Sequence, residues 1–266
     1  MTINEFQIQL DLSSGNELAI LKQHAHKTKY GYLFVDSSDG QCHLFDKYGK
    51  LDDIEKVKSI GYGAFYNCTS LKHITIPGSV KRIGNEAFYE CTSLKSIMIP
   101  NSVESIENYA FYNCTSFKSI MIPNSVKSIG YGAFSECTFL KSIIIPNSVE
   151  SIGNYAFYDC ISIKSIMIPN SVKSIGYGAF SECTFLKSII IPDLVKSIRK
   201  WAFENCTSLE SIIIPKSIKS IRCGAFSGCT SLKEVIFKGK TIYQVEAMDN
   251  YPWGIKNASV IKCQIS

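Results

Sequence analysis

The sequence predicts a β-rich α/β solenoid in which about eight coils stack between two end caps. Three features repeat every 23 residues: a cysteine, an Ala-Phe dipeptide just ahead of it, and a proline. Seven of the eight prolines in the chain keep this period. The repeated cysteines are Cys68, Cys91, Cys114, Cys137, Cys160, Cys183, Cys206 and Cys229. Self-similarity at such a period is typical of solenoids and other repeat arrays.

The period divides the chain into three parts. Residues 57–240 form the repeats, residues 1–56 do not repeat, and residues 241–266 follow the last complete unit. The open ends of a solenoid expose apolar core and unpaired strand edges, so they need covers. We therefore expect residues 1–56 to form an N-terminal α+β cap and residues 241–266 a C-terminal cap.

Each unit begins with a short strand. In L-x-x-I-x-I-P, apolar residues alternate, as in Leu94, Ile97 and Ile99, and β-branched residues favour a strand with one face inward. The proline ends the strand because it has no N–H for a ladder. The V-x-x-I segment then turns the chain back to the core, and A-F-x-x-C has a helical or 3₁₀ spacing. The unit predicts one parallel sheet, with short helical turns or irregular segments on the other side.

A second period covers two units. Residues 127–149 and 173–195 are identical except at their ends, where one reads PNSV and the other PDLV. The unit that duplicated last was therefore a pair of repeats.

The motifs carry a family resemblance. L-x-x-I-x-I is the strand signature of a leucine-rich repeat, and the 23-residue unit with A-F-x-x-C resembles the BspA-like leucine-rich repeat family over about residues 57–240. The resemblance implies a right-handed array. It also implies a non-catalytic scaffold that binds proteins, of the kind associated with cell-surface adhesion.

The two ends have weaker patterns. Residues 6–12 alternate like a strand, residues 17–27 read as a short helix capped by Asn16, and two strands joined by SSDG predict a hairpin over residues 32–46. Near the other end, Tyr251-Pro252-Trp253 is expected to plug the last coil. The alternating residues 259–266 are expected to add a final strand.

The variable residue of L-x-x-I-x-I is the main candidate for a binding surface. It lies between two inward isoleucines, so it faces outward, and in most coils it is Met or Ile. A row of large exposed apolar residues usually marks a partner site. Strand propensity or copying by duplication is the alternative explanation. The candidate residues are Met98, Met121, Ile144, Met167, Ile190 and Ile213.

A row of lysines borders this surface: Lys95, Lys118, Lys141, Lys164 and Lys187. Like charges at one coil spacing attract an acidic partner, or they keep the protein soluble by discouraging association. The net charge of +5 is too small to demand nucleic acid, and no aromatic row interleaves with the lysines. We expect a protein ligand on this face, and nucleic acid is not favoured.

The sequence favours no enzyme. The four histidines have no visible carboxylate or cysteine partner, and no nucleophile or phosphate-loop pattern occurs. The repeated cysteines lie too far apart for C-x₂₋₄-C metal pairs and face one way, so buried structural thiols are expected, with no metal and no cofactor. Native protein should then react slowly with a thiol reagent.

Membrane association depends on the last residues. No apolar run is long enough to span a bilayer, and residues 1–17 lack the pattern of a cleaved secretory signal. A cytoplasmic or membrane-peripheral location is expected unless export follows a non-classical route. Cys263-Gln264-Ile265-Ser266 fits the C-a-a-X prenylation pattern imperfectly, and the alternative is that it ends a cap strand. The competing functions are therefore an adhesion-type scaffold, an intracellular or lipidated adaptor, and a structural spacer.

Overall fold

The repeats form a solenoid with a long row of parallel strands. The structure is a computed structural model, and it describes residues 26–28, 31–35, 42–45, 59–69 and 71–265. Neighbouring strands pair one coil apart, as Ile120 with Ile143 and Ser188 with Ser211. The strands of this long row are His73–Thr75, Ser96–Met98, Ser119–Met121, Ser142–Ile144, Ser165–Ile166, Ser188–Ile190, Ser211–Ile214, Glu234–Lys238 and Ile261–Gln264.

A second, short row of parallel strands runs along the solenoid. The expectation of one sheet is wrong, because the end of each V-x-x-I segment also pairs with its equivalent one coil away, as Ile106 does with Ile129. Two residues are enough to form each of these short strands, because the coils stay in register. The short row consists of Ser59–Ile60, Arg82–Ile83, Ser105–Ile106, Ser128–Ile129, Ser151–Ile152, Ser174–Ile175, Ser197–Ile198 and Ser220–Ile221.

The A-F-x-x-C segment forms turns instead of a helix. Its N–H groups alternate between two kinds of partner: Phe111 donates to Ala133 of the next coil (2.8 Å), whereas Tyr112 donates to Tyr109 of its own turn (3.1 Å). Tyr109 and Asn113 adopt a left-handed backbone, with φ of 54° and 53°. A continuous helix would use every N–H within its own coil, so the turns leave half of them free to join neighbouring coils.

The core is a stack of phenylalanines and cysteines. The rings from Phe65 to Phe226 are stacked coil on coil with centroids 4.8–5.7 Å apart. Seven of the eight repeated cysteines are buried, Cys229 is half-buried, and all eight are free thiols. The expectation of buried structural thiols is therefore confirmed for seven of them. Their common orientation follows from the repeat.

Seven of the eight repeated thiols also make a hydrogen bond that the sequence did not reveal. Cys160 Sγ donates to the carbonyl of Phe134 in the preceding coil, at 3.1 Å. The same bond recurs from Cys91 to Cys229. Burial raises the pKa of these thiols, to about 12 for Cys137. A neutral thiol can keep donating its proton, so the protonated form suits this site.

The C-terminal part supplies a ninth strand and a plug. Ile261–Gln264 pairs in parallel with the strand before it, and Trp253 is buried. The Phe226 N–H donates to the carbonyl of Trp253 (3.1 Å), as Phe203 donates to Ala225 one coil earlier (2.9 Å). Trp253 thus takes the place that an Ala of a further coil would have. Both expectations for this end, the final strand and the plug, are confirmed.

One short helix, Ile242–Glu246, and one 3₁₀ turn, Ala258–Val260, lead from the last repeat to the ninth strand. Thr241 and Gln244 form a reciprocal capping box, in which each side chain accepts the other residue's backbone N–H. This box fixes the start of the helix after the strand Glu234–Lys238.

The N-terminal part contains a three-stranded antiparallel sheet of His26–Thr28, Gly31–Val35 and Cys42–Phe45. The hairpin expected over residues 32–46 is confirmed by the pairing of Tyr32 with Phe45. The helix expected over residues 17–27 is wrong at its end, because His26 and Lys27 lie in a strand paired with Leu33 and Tyr32. The strand expected over residues 6–12 lies outside the described residues.

Candidate functional site

The strand face is the outward surface of the long row, and it carries an exposed apolar row. Met98 and Met121 are each 67% exposed, Ile144 60%, Met167 83% and Ile190 68%. Strand alternation turns these side chains outward while the flanking isoleucines are mostly buried. Met121 pairs in register with Ile144, Met98 and Met121 line one depression, and the pairing of Ile166 with Ile189 brings Met167 next to Ile190. The row is therefore one continuous apolar strip.

Ile213 differs from the other members of this row. Its side chain is half-buried, not exposed. It lies in a four-residue strand that pairs with the longest strand of the row, where Ile236 is its direct neighbour. The longer pairing covers more of each outward side chain, so the strip is less accessible at this end.

The lysine row lies beside the strip. Lys95, Lys118, Lys141 and Lys164 are exposed, and none of them forms an ion pair with a residue that the structure describes. Lys187 is exposed as well, but its positive charge acts on Glu210 of the next coil. The row ends at Glu210, whose carboxylate accepts a hydrogen bond from Lys233 Nζ (2.9 Å). That hydrogen bond lowers the pKa of Glu210. Positive charge is thus left uncompensated along four consecutive coils.

The first coils of the strand face form a shallow depression. It encloses about 490 Å³ and is lined by both strand and turn residues, including His73, Met98, Met121 and Asn101. His73 Nδ1 and Ser96 Oγ lie 2.7 Å apart across its floor. The depression gives the strip a concave end with hydrogen-bonding groups beside apolar ones.

Two exposed phenylalanines lie in coils that carry isoleucine in the strip. Phe139 is 61% exposed and Phe185 54%. They stand where other coils have serine in C-T-S-L, five residues before Ile144 and Ile190. The sequence reasoning missed them, although their departure from the repeat at one fixed position was a visible signal.

A second concave surface lies on the turn side of the coils, and we call it the tyrosine groove. It encloses about 450 Å³ and combines aromatic, carboxylate and serine side chains. Its lining comprises Tyr109, Tyr112, Tyr131, Ser135, Glu136, Tyr155, Tyr158, Ser181, Glu182, Trp201 and Glu204. The sequence analysis did not predict a groove on this side of the coils.

Cys263 lies in the ninth strand, opposite Phe237. Its side chain is half-buried and packs against the core, and burial raises the pKa of its thiol. This placement agrees with the cap-strand alternative, and lipidation stays a prediction. Among the described residues, no helix is long and apolar enough to cross a bilayer.

Comparison with known proteins places this architecture in context. No curated protein matches the chain. A leucine-rich repeat protein from Bacteroides ovatus is 31% identical over 78% of this chain, with a TM-score of 0.42. A leucine rich cell surface protein from Faecalibacterium prausnitzii is also 31% identical, over 73% of this chain, with a TM-score of 0.43. The chain spans 64% and 66% of the lengths of these two proteins.

A third solved structure matches almost end to end. The T. pallidum leucine rich repeat protein is 22% identical, with a TM-score of 0.52, over 91% of this chain and 99% of its own. This likeness shows the fold, a leucine-rich-repeat solenoid. A model of the BspA type leucine rich repeat region matches residues 58–170 and 150–251, with six copies. Since these ranges cover well over half of the sequence and coincide with the repeats, the chain belongs to the BspA-type leucine-rich repeat family.

Proposed function

We propose that this repeat scaffold is a non-catalytic binding protein that holds a protein ligand on its strand face. The observation that carries the proposal is the in-register strip of Met98, Met121, Ile144, Met167 and Ile190, all at least 60% exposed. Contiguous apolar surface of this kind is costly to leave in water and usually marks a partner site. Methionine, which is flexible and polarizable, suits an adaptable interface.

The lysine row defines the charge of the partner. Four ammonium groups that form no ion pair with the described residues follow one edge of the strip. A partner with an apolar centre and carboxylates along one side would bury the strip and neutralise the lysines. Such complementarity raises the association rate and makes it fall with salt. A solubility role for the lysines predicts no such partner charge.

Adhesion at a cell surface is the form of binding that the family favours. The relative from Faecalibacterium prausnitzii is described as a cell surface protein. An intracellular adaptor, anchored through Cys263 if that residue is lipidated, is the second candidate. A spacer in a larger assembly is the third, and it alone needs no accessible strip.

A capture experiment separates these functions. The intact chain and the variant Met121→Glu with Ile144→Glu are immobilised and exposed both to extract of the source cells and to a panel of extracellular-matrix proteins. Captured proteins are identified by mass spectrometry. An adhesin retains matrix protein, an adaptor retains one cellular protein, and in either case the double variant loses it.

The matched control adds the same two charges elsewhere. Tyr243 is 80% exposed on the C-terminal helix and Leu194 is 44% exposed in a turn, so Tyr243→Glu with Leu194→Glu removes two exposed apolar groups outside the strip. This control should bind as the intact chain does. Equal capture by all three proteins, or capture by none, would contradict the proposal.

A further inference from the structure

The tyrosine groove contains a gap in a stack of tyrosines. Tyr66, Tyr89 and Tyr112 occupy the same position in successive coils, and their rings stack at 4.8 and 4.5 Å. The next coil has Ser135 at this position, and the coil after that has Tyr158. Two coil steps separate Tyr112 from Tyr158, or about 10 Å, which leaves room for one flat group about as thick as a ring. We call this space the Ser135 slot.

The floor of the slot has an unsatisfied polar group. Ser135 is only 4% exposed, and within the described part of the chain its hydroxyl makes no hydrogen bond. Buried hydroxyls normally have a partner, and one without a partner needs an explanation. At the equivalent position two coils later, Ser181 Oγ lies 3.5 Å from a Glu204 oxygen, so that hydroxyl has a neighbour within the chain. The Ser135 hydroxyl is therefore free to bond a ligand.

The wall of the slot carries concentrated negative charge. Glu136 and Glu182 line the groove, and Asp159 occupies the same position in the coil between them. Burial and the neighbouring carboxylates Glu136 and Glu182 raise the pKa of Asp159. Tyr112 donates a hydrogen bond to Glu136, and Asn205 donates one to Glu182 at 2.6 Å, but neither donor is a cation. No lysine or arginine is among the described residues that line the groove.

The chain itself shows that aromatic groups here accept a cation. Lys200 Nζ lies 4.1 Å from the ring centroid of Trp201, which lines the far end of the groove. That distance is within the range of a cation–π contact. The Ser135 slot offers two such rings, one on each side, together with carboxylates at its edge.

We propose that the Ser135 slot binds the guanidinium group of an arginine side chain on a protein partner. Guanidinium is flat, stacks on aromatic rings, and carries five N–H donors for Glu136, Asp159 and the Ser135 hydroxyl. A lysine ammonium matches the charge but does not stack as a plane, and a neutral sugar leaves the carboxylates unneutralised. The slot belongs to the turn side of the coils, and this inference does not depend on the function proposed for the strand face.

The test uses three peptides that differ in one side chain. Acetyl-Gly-Arg-Gly-amide is titrated into the full chain, and binding is followed by the NMR signals of the tyrosine rings. The citrulline peptide has nearly the same shape without the charge, and the lysine peptide has the charge without the plane. We expect the arginine peptide to bind at least ten times more tightly than either, with shifts at Tyr112 and Tyr158.

Variants locate the binding. Ser135→Tyr fills the slot with a tyrosine side chain, which the coils before and after it already have at this position as Tyr112 and Tyr158. This variant should abolish binding of the arginine peptide. Asp159→Asn keeps the shape, and it should weaken binding several-fold even if Ser135→Tyr fails to fold. Met121→Glu with Ile144→Glu, on the strand face, should leave binding unchanged. Equal binding of the citrulline peptide, or full binding by Asp159→Asn, would overturn the assignment.

Discussion

The ring of Tyr155 lies directly over Gly178 of the next coil. A Cβ added at Gly178 would be 2.4 Å from Cε1 of Tyr155, and the same relation holds between Tyr109 and Gly132 and between Trp201 and Gly224. Aromatic residue and glycine thus alternate at one coil position. Duplication of a pair of coils explains the origin of the two-coil period in the sequence. The physical consequence of this period is that each of these aromatic rings packs over a glycine of the next coil.

We predict that Gly178→Ala destabilises the fold by about 1–3 kcal/mol, because Gly178 has a φ of +56° and because the new methyl group meets the Tyr155 ring. Chemical denaturation measures the loss. Gly78→Ala is the matched control, since no atom lies within 4 Å of its added Cβ. In a double-mutant cycle, Tyr155→Ala should relieve part of the cost of Gly178→Ala. Strict additivity would show that the ring is not the obstacle.

A ladder of serine hydroxyls is interrupted at Leu194. Serines of the P-N-S-V segment donate to the valine carbonyl of the preceding coil, as Ser171 does to Val149 and Ser148 to Val126, both at 2.7 Å. Leu194 replaces serine at this position, where it is 44% exposed, so no side chain at residue 194 donates to the Val172 carbonyl.

Leu194→Ser should therefore stabilise the protein by about 1 kcal/mol, the usual contribution of one hydrogen bond. Ser171→Ala is the reciprocal change and should cost a similar amount. Both are measured by urea denaturation at constant pH. A loss of stability in Leu194→Ser would mean that the leucine makes an apolar contact worth more than the bond.

Buried and exposed side chains of the coils should respond differently to substitution. Phe134 is fully buried between the rings of Phe111 and Phe157, so Phe134→Ala should cost about 3–5 kcal/mol. Met121→Glu with Ile144→Glu lies on the exposed strip and should leave the fold intact. Circular dichroism and thermal melting compare the two. Unfolding of the strip variant would place those side chains inside.

Thiol labelling should distinguish the exposed Cys223 from the buried cysteines of the repeat. Cys223 is exposed, whereas the cysteines from Cys68 to Cys206 in the repeat are buried and have raised pKa values. The thiolate is the reactive form, so native protein should label first at Cys223 and slowly in the core, and unfolded protein should label quickly throughout. Peptide mapping after a short pulse gives the order. Fast native labelling at Cys137 would contradict the buried arrangement.

The 23-residue period made most of the architecture predictable. It fixed the strand positions, the inward Phe and Cys, and the outward Met and Ile, because every coil repeats the same inside and outside. The short row was missed since Ser105–Ile106 is too brief to show alternation. The Ser135 slot was missed because it depends on residues 23 positions apart, and those meet only when the coils stack.

Buried thiols should also make the fold sensitive to alkali. Burial raises the pKa of Cys137 from 9.0 to about 12, and that of Cys68 to about 11. The unfolded chain releases these protons above about pH 9, whereas the folded chain keeps them until its raised pKa values are reached. The stabilisation is therefore fully present below pH 9 and is lost as pH rises from 9 towards 12.

Each such thiol should lower the free energy of unfolding by about 1.4 kcal/mol per pH unit within that window. The buried cysteines together should therefore make the free energy of unfolding fall steeply with pH. Urea denaturation at pH 8.0, 9.5 and 10.5 measures the slope. Cys137→Ala should reduce the slope by the share of one thiol, whatever it costs at neutral pH. Cys223→Ala is the matched control, since this thiol is exposed and lies outside the set of buried cysteines. A flat profile above pH 9 would mean that the buried thiols ionise as readily in the folded protein as in the unfolded chain.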